Sequence, residues 1–137
     1  MRTKTIKISQ GTIGKSNPKY AGMHLIADFW DGDITESKKE IRKILIEAAK
    51  RACSTPLKLV IHKFKPQGLA AILLLEESHI SIHTWPEIRY MAVDIFTCGA
   101  KTQCHQALEY LKEILHPKKV TLTKLKRGLT QDNQRRR

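Results

Sequence analysis

LAAILLLEESHISIHTWPE, residues 69–87, is the stretch whose reading decides how the chain is arranged. Its first seven residues form an apolar run bounded by Gly68 and two glutamates, too short for a buried helix, and read as a strand covered on both faces. From Ser78 onward Ile80 and Ile82 alternate with His79, Ser81 and His83, the period of two of an extended segment. On a helix the HxxxH pattern of His79 and His83 could chelate zinc; here the segment is extended, and no metal is expected.

Working outward, the neighbouring segments complete a sheet. MHLIADFW (23–30) and LKLVIHKF (57–64) precede the stretch as strands, and Pro66 with Gly68 marks a turn before it. YMAVDIFT (90–97) and KVTLTKLK (119–126) follow as strands. Ser37 with Glu40 is a capping-box pattern, and Ile41, Ile44, Leu45 and Ala48 recur at helical spacing, which predicts a helix over 37–52. A second helix puts Cys104, Leu108, Leu111 and Leu115 on one face and stops at His116-Pro117. The order β-α-β-β-β-β-α-β, with hairpin-length links between central strands, implies an α+β two-layer sandwich: a mainly antiparallel sheet with both helices on one face. The other face needs a cover, for which a homodimer packed through its sheets is the expectation.

The 137 residues suit one domain, expected over 20–128. No run approaches the roughly 20 apolar residues of a membrane span, and the first residues lack the apolar centre of a signal peptide, so a cytoplasmic protein without membrane contact is expected. Cys53, Cys98 and Cys104 form neither a CxxC pattern nor an even disulfide set. Cys53 and Cys104 read as residues on apolar helix faces. Residues 1–19 carry five Lys/Arg and no acid, and residues 118–137 carry eight Lys/Arg against Asp132, so the ends hold the whole net charge of +12. A neutral middle between basic ends reads as a flexible arm (1–19) and a tail (129–137), not as a nucleic-acid surface, since the aromatics are not interleaved with the basic runs.

The crowding of Glu76, Glu77, Ser78, His79, Ser81 and His83 then needs an explanation. A hydrolase triad lacks a G-x-S-x-G elbow. A serine can also attack its own preceding carbonyl, convert the amide to an ester, and lose the acyl group by β-elimination, leaving a pyruvoyl group.

The run ESHISIHTWPE followed by AVDIFTCG, with HLIADFW and FKPQG, resembles the signature of the prokaryotic S-adenosylmethionine decarboxylases over about Gly22–Gly128. That resemblance implies a pyruvoyl-dependent lyase of polyamine synthesis, made as a self-cleaving proenzyme. Its product is decarboxylated S-adenosylmethionine, the aminopropyl donor for spermidine. Cleavage between Glu77 and Ser78 would give a β chain (1–77) and an α chain (78–137), with Ser78 becoming the pyruvoyl cofactor that forms a Schiff base with the substrate. His83 matches the histidine that removes the Ser78 α-proton, and Cys98 the cysteine that reprotonates the decarboxylated carbon. Phe64, Trp85 and Glu87 match substrate-binding positions, and the implied assembly is a homodimer of cleaved αβ protomers.

The chain departs from that pattern in places. Ala70-Ala71 stands where many members have Ser-Gly, the serine of which assists processing; Met23 stands where a basic residue is common, Arg89 where glycine is frequent, and Glu76 where a small residue precedes the cut. These departures leave two other readings: the same chemistry on arginine or ornithine, with Asp28, Asp31, Asp33 or Glu76 holding the distal cation, or an unprocessed, non-catalytic relative.

Overall fold

The structure, a computed structural model, describes residues 3–9, 20–98 and 102–129. Among these residues seven strands form one sheet: β1 (Lys4–Ser9), β2 (Gly22–Trp30), β3 (Pro56–Lys63), β4 (Leu69–Leu75), β5 (Ser78–Trp85), β6 (Tyr90–Cys98) and β7 (Lys119–Arg127). Their spatial order is β1-β7-β2-β6-β5-β4-β3, and every pair is antiparallel except β1 with β7. Helices α1 (Lys38–Arg51) and α2 (Cys104–Leu115) pack on one face. The expected α+β two-layer sandwich is therefore present.

Local chemistry sets the element ends. Ser37 Oγ accepts the Glu40 N–H at 3.2 Å and caps α1 as the sequence predicts. The reciprocal half of the capping box is rerouted through Thr35, whose hydroxyl donates to Glu40 Oε2 at 2.8 Å while its Oγ1 accepts the Ser37 N–H at 3.1 Å. α2 ends in His116, left-handed at φ 49, before Pro117.

Strand alternation sends one set of side chains into the core. Leu25, Ala27 and Phe29 of β2, Met91, Val93 and Ile95 of β6, and Ile80 and Ile82 of β5 are buried against Ile41, Leu45 and Ala48 of α1 and Leu108 and Leu111 of α2. The other set forms an open face. There Val60, Ile72 and Leu74 remain 58%, 47% and 49% exposed, so the expectation that LAAILLL is buried on both faces fails within a single chain. Only its odd-numbered residues meet helices.

Two further expectations are corrected. Lys4–Ser9, within the segment read as a flexible arm, is a strand whose Thr5-Ile6 alternation was masked by the surrounding basic residues. Residues 1–2 and 10–19 of that arm and 130–137 of the tail lie outside the described residues. Cys53 is exposed, in a left-handed turn at φ 56 just past α1, rather than on an apolar helix face; Cys104 is buried as expected.

Candidate functional site

The link between β4 and β5 is a two-residue turn, Glu76-Glu77, closed by the pairing of Leu75 with Ser78. Such turns favour positive φ at the loop residues, which glutamate resists. Here the positive φ falls on the next residue: Ser78 has φ 154, a region that an L side chain occupies at a cost. The turn is pinned from outside, since Glu76 N–H donates to Thr55 O at 2.9 Å and Thr55 N–H donates to Glu77 Oε2 at 3.1 Å.

The end of β6 holds the Glu77 carbonyl from the other side. Its oxygen accepts the Cys98 backbone N–H at 3.0 Å and the Cys98 thiol at 2.6 Å. The Ser78 hydroxyl in turn reaches Cys98 Sγ at 3.9 Å. A hydroxyl, the carbonyl it would attack, and two donors on that carbonyl's oxygen are thus assembled around one peptide bond, the arrangement that stabilises an oxyanion as it forms. A cavity of about 690 Å³ opens beside Cys98, lined among others by Tyr20, Gly22, Met23, Gln103, Cys104 and His105, within the size range of small-molecule sites. Burial there pushes the Cys104 thiol up from its usual pKa.

The other expected residues gather at the far end of β5. Five residues of extended chain separate Ser78 from His83, about 16 Å. His83 points onto the open face between Ala70 of β4 and Ala92 of β6, with His62 beyond Ala70 in the same row. Its ring stacks near Trp85 at 6.1 Å. Phe64 lies edge-on to His62 at 4.7 Å, and both Phe64 and Trp85 are exposed. Gln67 Nε2 donates to Glu87 Oε2 at 3.3 Å, and Gly68, at φ 101, donates its N–H to Glu36 Oε1 at 3.0 Å. Thr84 Oγ1 accepts the Leu69 N–H at 3.0 Å and ties the β4 start to β5.

The structure thus divides the sequence-predicted residues in two. It brings Glu77, Ser78 and Cys98 together at one end, and Phe64, His83, Trp85 and Glu87 at the other. Within one chain His83 stands toward the opposite end of the strand Ser78–Trp85 from Ser78.

Sequence reasoning gave no role to Gln67, although it lies in FKPQG, or to Glu36, and it missed the backbone donor of Cys98, which only strand register reveals. It also left the contacts of His24, His79 and Asp94 unseen. His24 Nε2 meets Asp94 Oδ1 at 3.0 Å, and His79, beside His24, has its pKa lowered by burial and then by the neighbouring imidazole. The acids offered as partners for a substrate cation are mostly engaged: Asp28 accepts the Tyr90 hydroxyl, Asp31 meets Arg89 Nε at 3.3 Å, and Asp33 meets His116 Nδ1 at 2.9 Å. Arg89 has φ 54, which accounts for glycine suiting this position; here its backbone carbonyl accepts the Asp31 N–H at 2.9 Å and its Nε meets Asp31 Oδ1.

Residues 23–128 match the S-adenosylmethionine decarboxylase family. The chain is 41% identical over 110 residues, 79% of its length and 89% of the relative's, to the S-adenosylmethionine decarboxylase proenzyme of Caldicellulosiruptor saccharolyticus. It is 39% identical over 113 residues to the protein of the same name from Methanococcus maripaludis, covering 81% and 93% of the two chains. Its fold is similar to the crystal structure of the adenosylmethionine decarboxylase from Aquifex aeolicus, with a TM-score of 0.77 and 34% identity over 83% of this chain and 96% of that one.

Proposed function

The chain belongs to the S-adenosylmethionine decarboxylase family, and from that we propose a decarboxylase that cuts itself between Glu77 and Ser78 and works as a dimer. Its reaction releases carbon dioxide from S-adenosylmethionine, giving the aminopropyl donor of polyamine synthesis. The observation that carries the self-cleavage is the Glu77 carbonyl, which Cys98 grips with two donors beside the strained Ser78.

The residues suggest an order of events. Ser78 Oγ attacks the Glu77 carbonyl carbon while its proton passes to Cys98 Sγ and the Cys98 thiol proton passes to the carbonyl oxygen. Breaking the C–N bond leaves Glu77 esterified to the side chain of a free-amino Ser78. Removal of the Ser78 α-proton expels the Glu77 carboxylate, and hydrolysis of the resulting enamine releases ammonia. The pyruvoyl group so formed at residue 78 supplies an electron sink for the decarboxylation. Cys98, already beside that position, then returns a proton to the substrate carbon.

The α-proton step needs a base within hydrogen-bond reach, and His83 of the same chain is about 16 Å away. A second copy meets that need. Two open faces stacked about a two-fold axis that runs across the strands near the middle of β5 reverse strand direction. His83, Phe64, Trp85 and Glu87 of one protomer then lie over Ser78 and Cys98 of its partner, and the exposed Val60, Ile72 and Leu74 become covered. Trp85 and Phe64 suit an adenine ring and a sulfonium.

Among the alternatives, arginine or ornithine would want a free carboxylate, whereas Asp28, Asp31 and Asp33 each hold an internal partner. A non-processed relative has only Ala70 in its favour.

Mixed dimers test the reading. Ser78→Ala and His83→Ala chains, each produced alone, should stay uncut. Co-expressed, the His83→Ala chain should be cut, because it keeps Ser78 and receives His83 from its partner. Absence of fragments from co-expression would overturn the arrangement in trans, and cutting of His83→Ala alone would remove His83 from the step. Carbon dioxide release from S-adenosylmethionine, arginine and ornithine in parallel tests the substrate, with S-adenosylmethionine expected to dominate.

A further inference from the structure

Trp30, Tyr90 and Trp85 occupy one cross-strand row of the open face, on β2, β6 and β5. Cross-strand neighbours have Cβ atoms about 4.5–5.5 Å apart, close enough for rings to lie plane to plane. Their centroids are 4.5 Å (Trp30 to Tyr90) and 5.2 Å (Tyr90 to Trp85) apart, with interplanar angles of 28° and 26°. His83, two residues before Trp85 on β5 and so in the next row, stacks beside it at 6.1 Å and 24°. Four rings from three strands thus form one ladder.

The middle rung is the most constrained. The Tyr90 hydroxyl donates to Asp28 Oδ1, from a strand residue two positions before Trp30. Burial, and then that hydrogen bond, hold the phenol protonated well above its usual range. Both strand ends are fixed as well, since Asp31 N–H donates to Arg89 O at 2.9 Å and Lys118 N–H donates to Trp30 O at 2.9 Å. By contrast Trp85 is 39% exposed and precedes the Pro86–Ile88 3₁₀ turn, and its ring stacks with Tyr90 and His83.

We infer that Tyr90, locked by Asp28 against Trp30, is a positioning residue that sets the plane of Trp85 for stacking on the adenine of the substrate. The inference rests on the function proposed above and extends it to three residues outside the expected site. A ring free to tilt would bind the same base with more entropy to lose, so the effect falls on binding rather than on the chemical step.

The chain's two tryptophans, Trp30 and Trp85, both lie in this ladder, so its near-ultraviolet circular dichroism in the tryptophan region reports on the ladder. In the cut enzyme Tyr90→Leu should raise KM for S-adenosylmethionine about tenfold, equivalent to about 1.4 kcal/mol of lost stacking, with kcat within about threefold. The coupled tryptophan signal should collapse. Tyr90→Phe keeps the ring and should shift KM only about threefold. Trp30→Leu, which leaves Tyr90 and Trp85 in place, is the second variant should Tyr90→Leu not fold, and should raise KM about threefold with a diminished signal. Unchanged KM in these variants, or kcat falling as far as kcat/KM, would overturn the inference. A wild-type chain that releases no carbon dioxide would sink the function reading by itself; the ladder is then judged by the dichroism, and an unaltered spectrum in Tyr90→Leu refutes it.

Discussion

Replacing Ser78 by glycine should stabilise the uncut chain relative to replacing it by alanine, the reverse of the usual order in a strand. Both variants lack the attacking hydroxyl and stay in one piece, so the comparison isolates the backbone. A non-glycine residue held at the φ of 154 found here costs about 1–3 kcal/mol, which glycine relieves and alanine does not. Glycine gives back about 0.5–1 kcal/mol through the greater freedom of its unfolded chain. A net gain of about 1 kcal/mol remains. With an unfolding entropy of about 2.1 cal/mol/K per residue, roughly 0.29 kcal/mol/K for 137 residues, Tm should rise by about 3–4 °C. Scanning calorimetry at equal protomer concentration measures it, with Ser81→Gly against Ser81→Ala as a control at an ordinary strand position, where glycine should be the less stable by about 1 kcal/mol. Glycine no better than alanine at position 78 would refute the strain. The point bears on mechanism, because about 1–3 kcal/mol released at the transition state of the acyl shift is worth about 5- to 150-fold in rate.

Cys98→Ala should slow self-cleavage about 10- to 100-fold, since the backbone N–H still holds the Glu77 carbonyl, and should lower the kcat of any cut enzyme about 10²- to 10⁴-fold. Cys98→Ser should recover most of the cleavage, read by denaturing mass spectrometry; full-speed cleavage in the alanine variant would remove the thiol from the acyl shift. The lowered pKa of His79 means that the unfolded chain takes up its proton first as pH falls. Stability from this group is complete above the unfolded value of about 6.5 and is lost as pH drops through the folded value. Denaturant unfolding of Ser78→Ala between pH 8 and 5 should therefore show a decline that is shallower when His79→Gln is added; equal slopes would exclude His79.

Much of the fold was legible because period and punctuation agree: Ser37 at the cap of α1, the alternation of Ile80 and Ile82, and His116-Pro117 after α2 are local signals with local causes. β1 was not legible, because six residues flanked by lysines and glycines gain their order from pairing with β7 at the opposite end of the sequence. At the site, Ser78, His83 and Cys98 could be found through a motif, yet motif proximity misled about space. His83 is five residues from Ser78 in sequence and therefore at the opposite end of a strand, while Cys98, twenty residues away, is its neighbour through the pairing of β5 with β6. The aromatic row was illegible for the same reason: Trp30, Tyr90 and Trp85 meet only once the register of three strands is set.

The strand order has a consequence for the severed protein. A cut after Glu77 assigns β1, β2, β3 and β4 to one piece and β5, β6 and β7 to the other, and along the sheet the two pieces alternate, with four of the six strand pairings running between them. Neither piece can keep its own sheet when the other leaves. A protomer cut in this way would be a heterodimer woven from a single translation product, and its refolding would change from a first-order event into a bimolecular encounter. Dilution that leaves the uncut chain free to refold would strand the separated fragments, so the cut, once made, would also end the chain's ability to repair itself after unfolding.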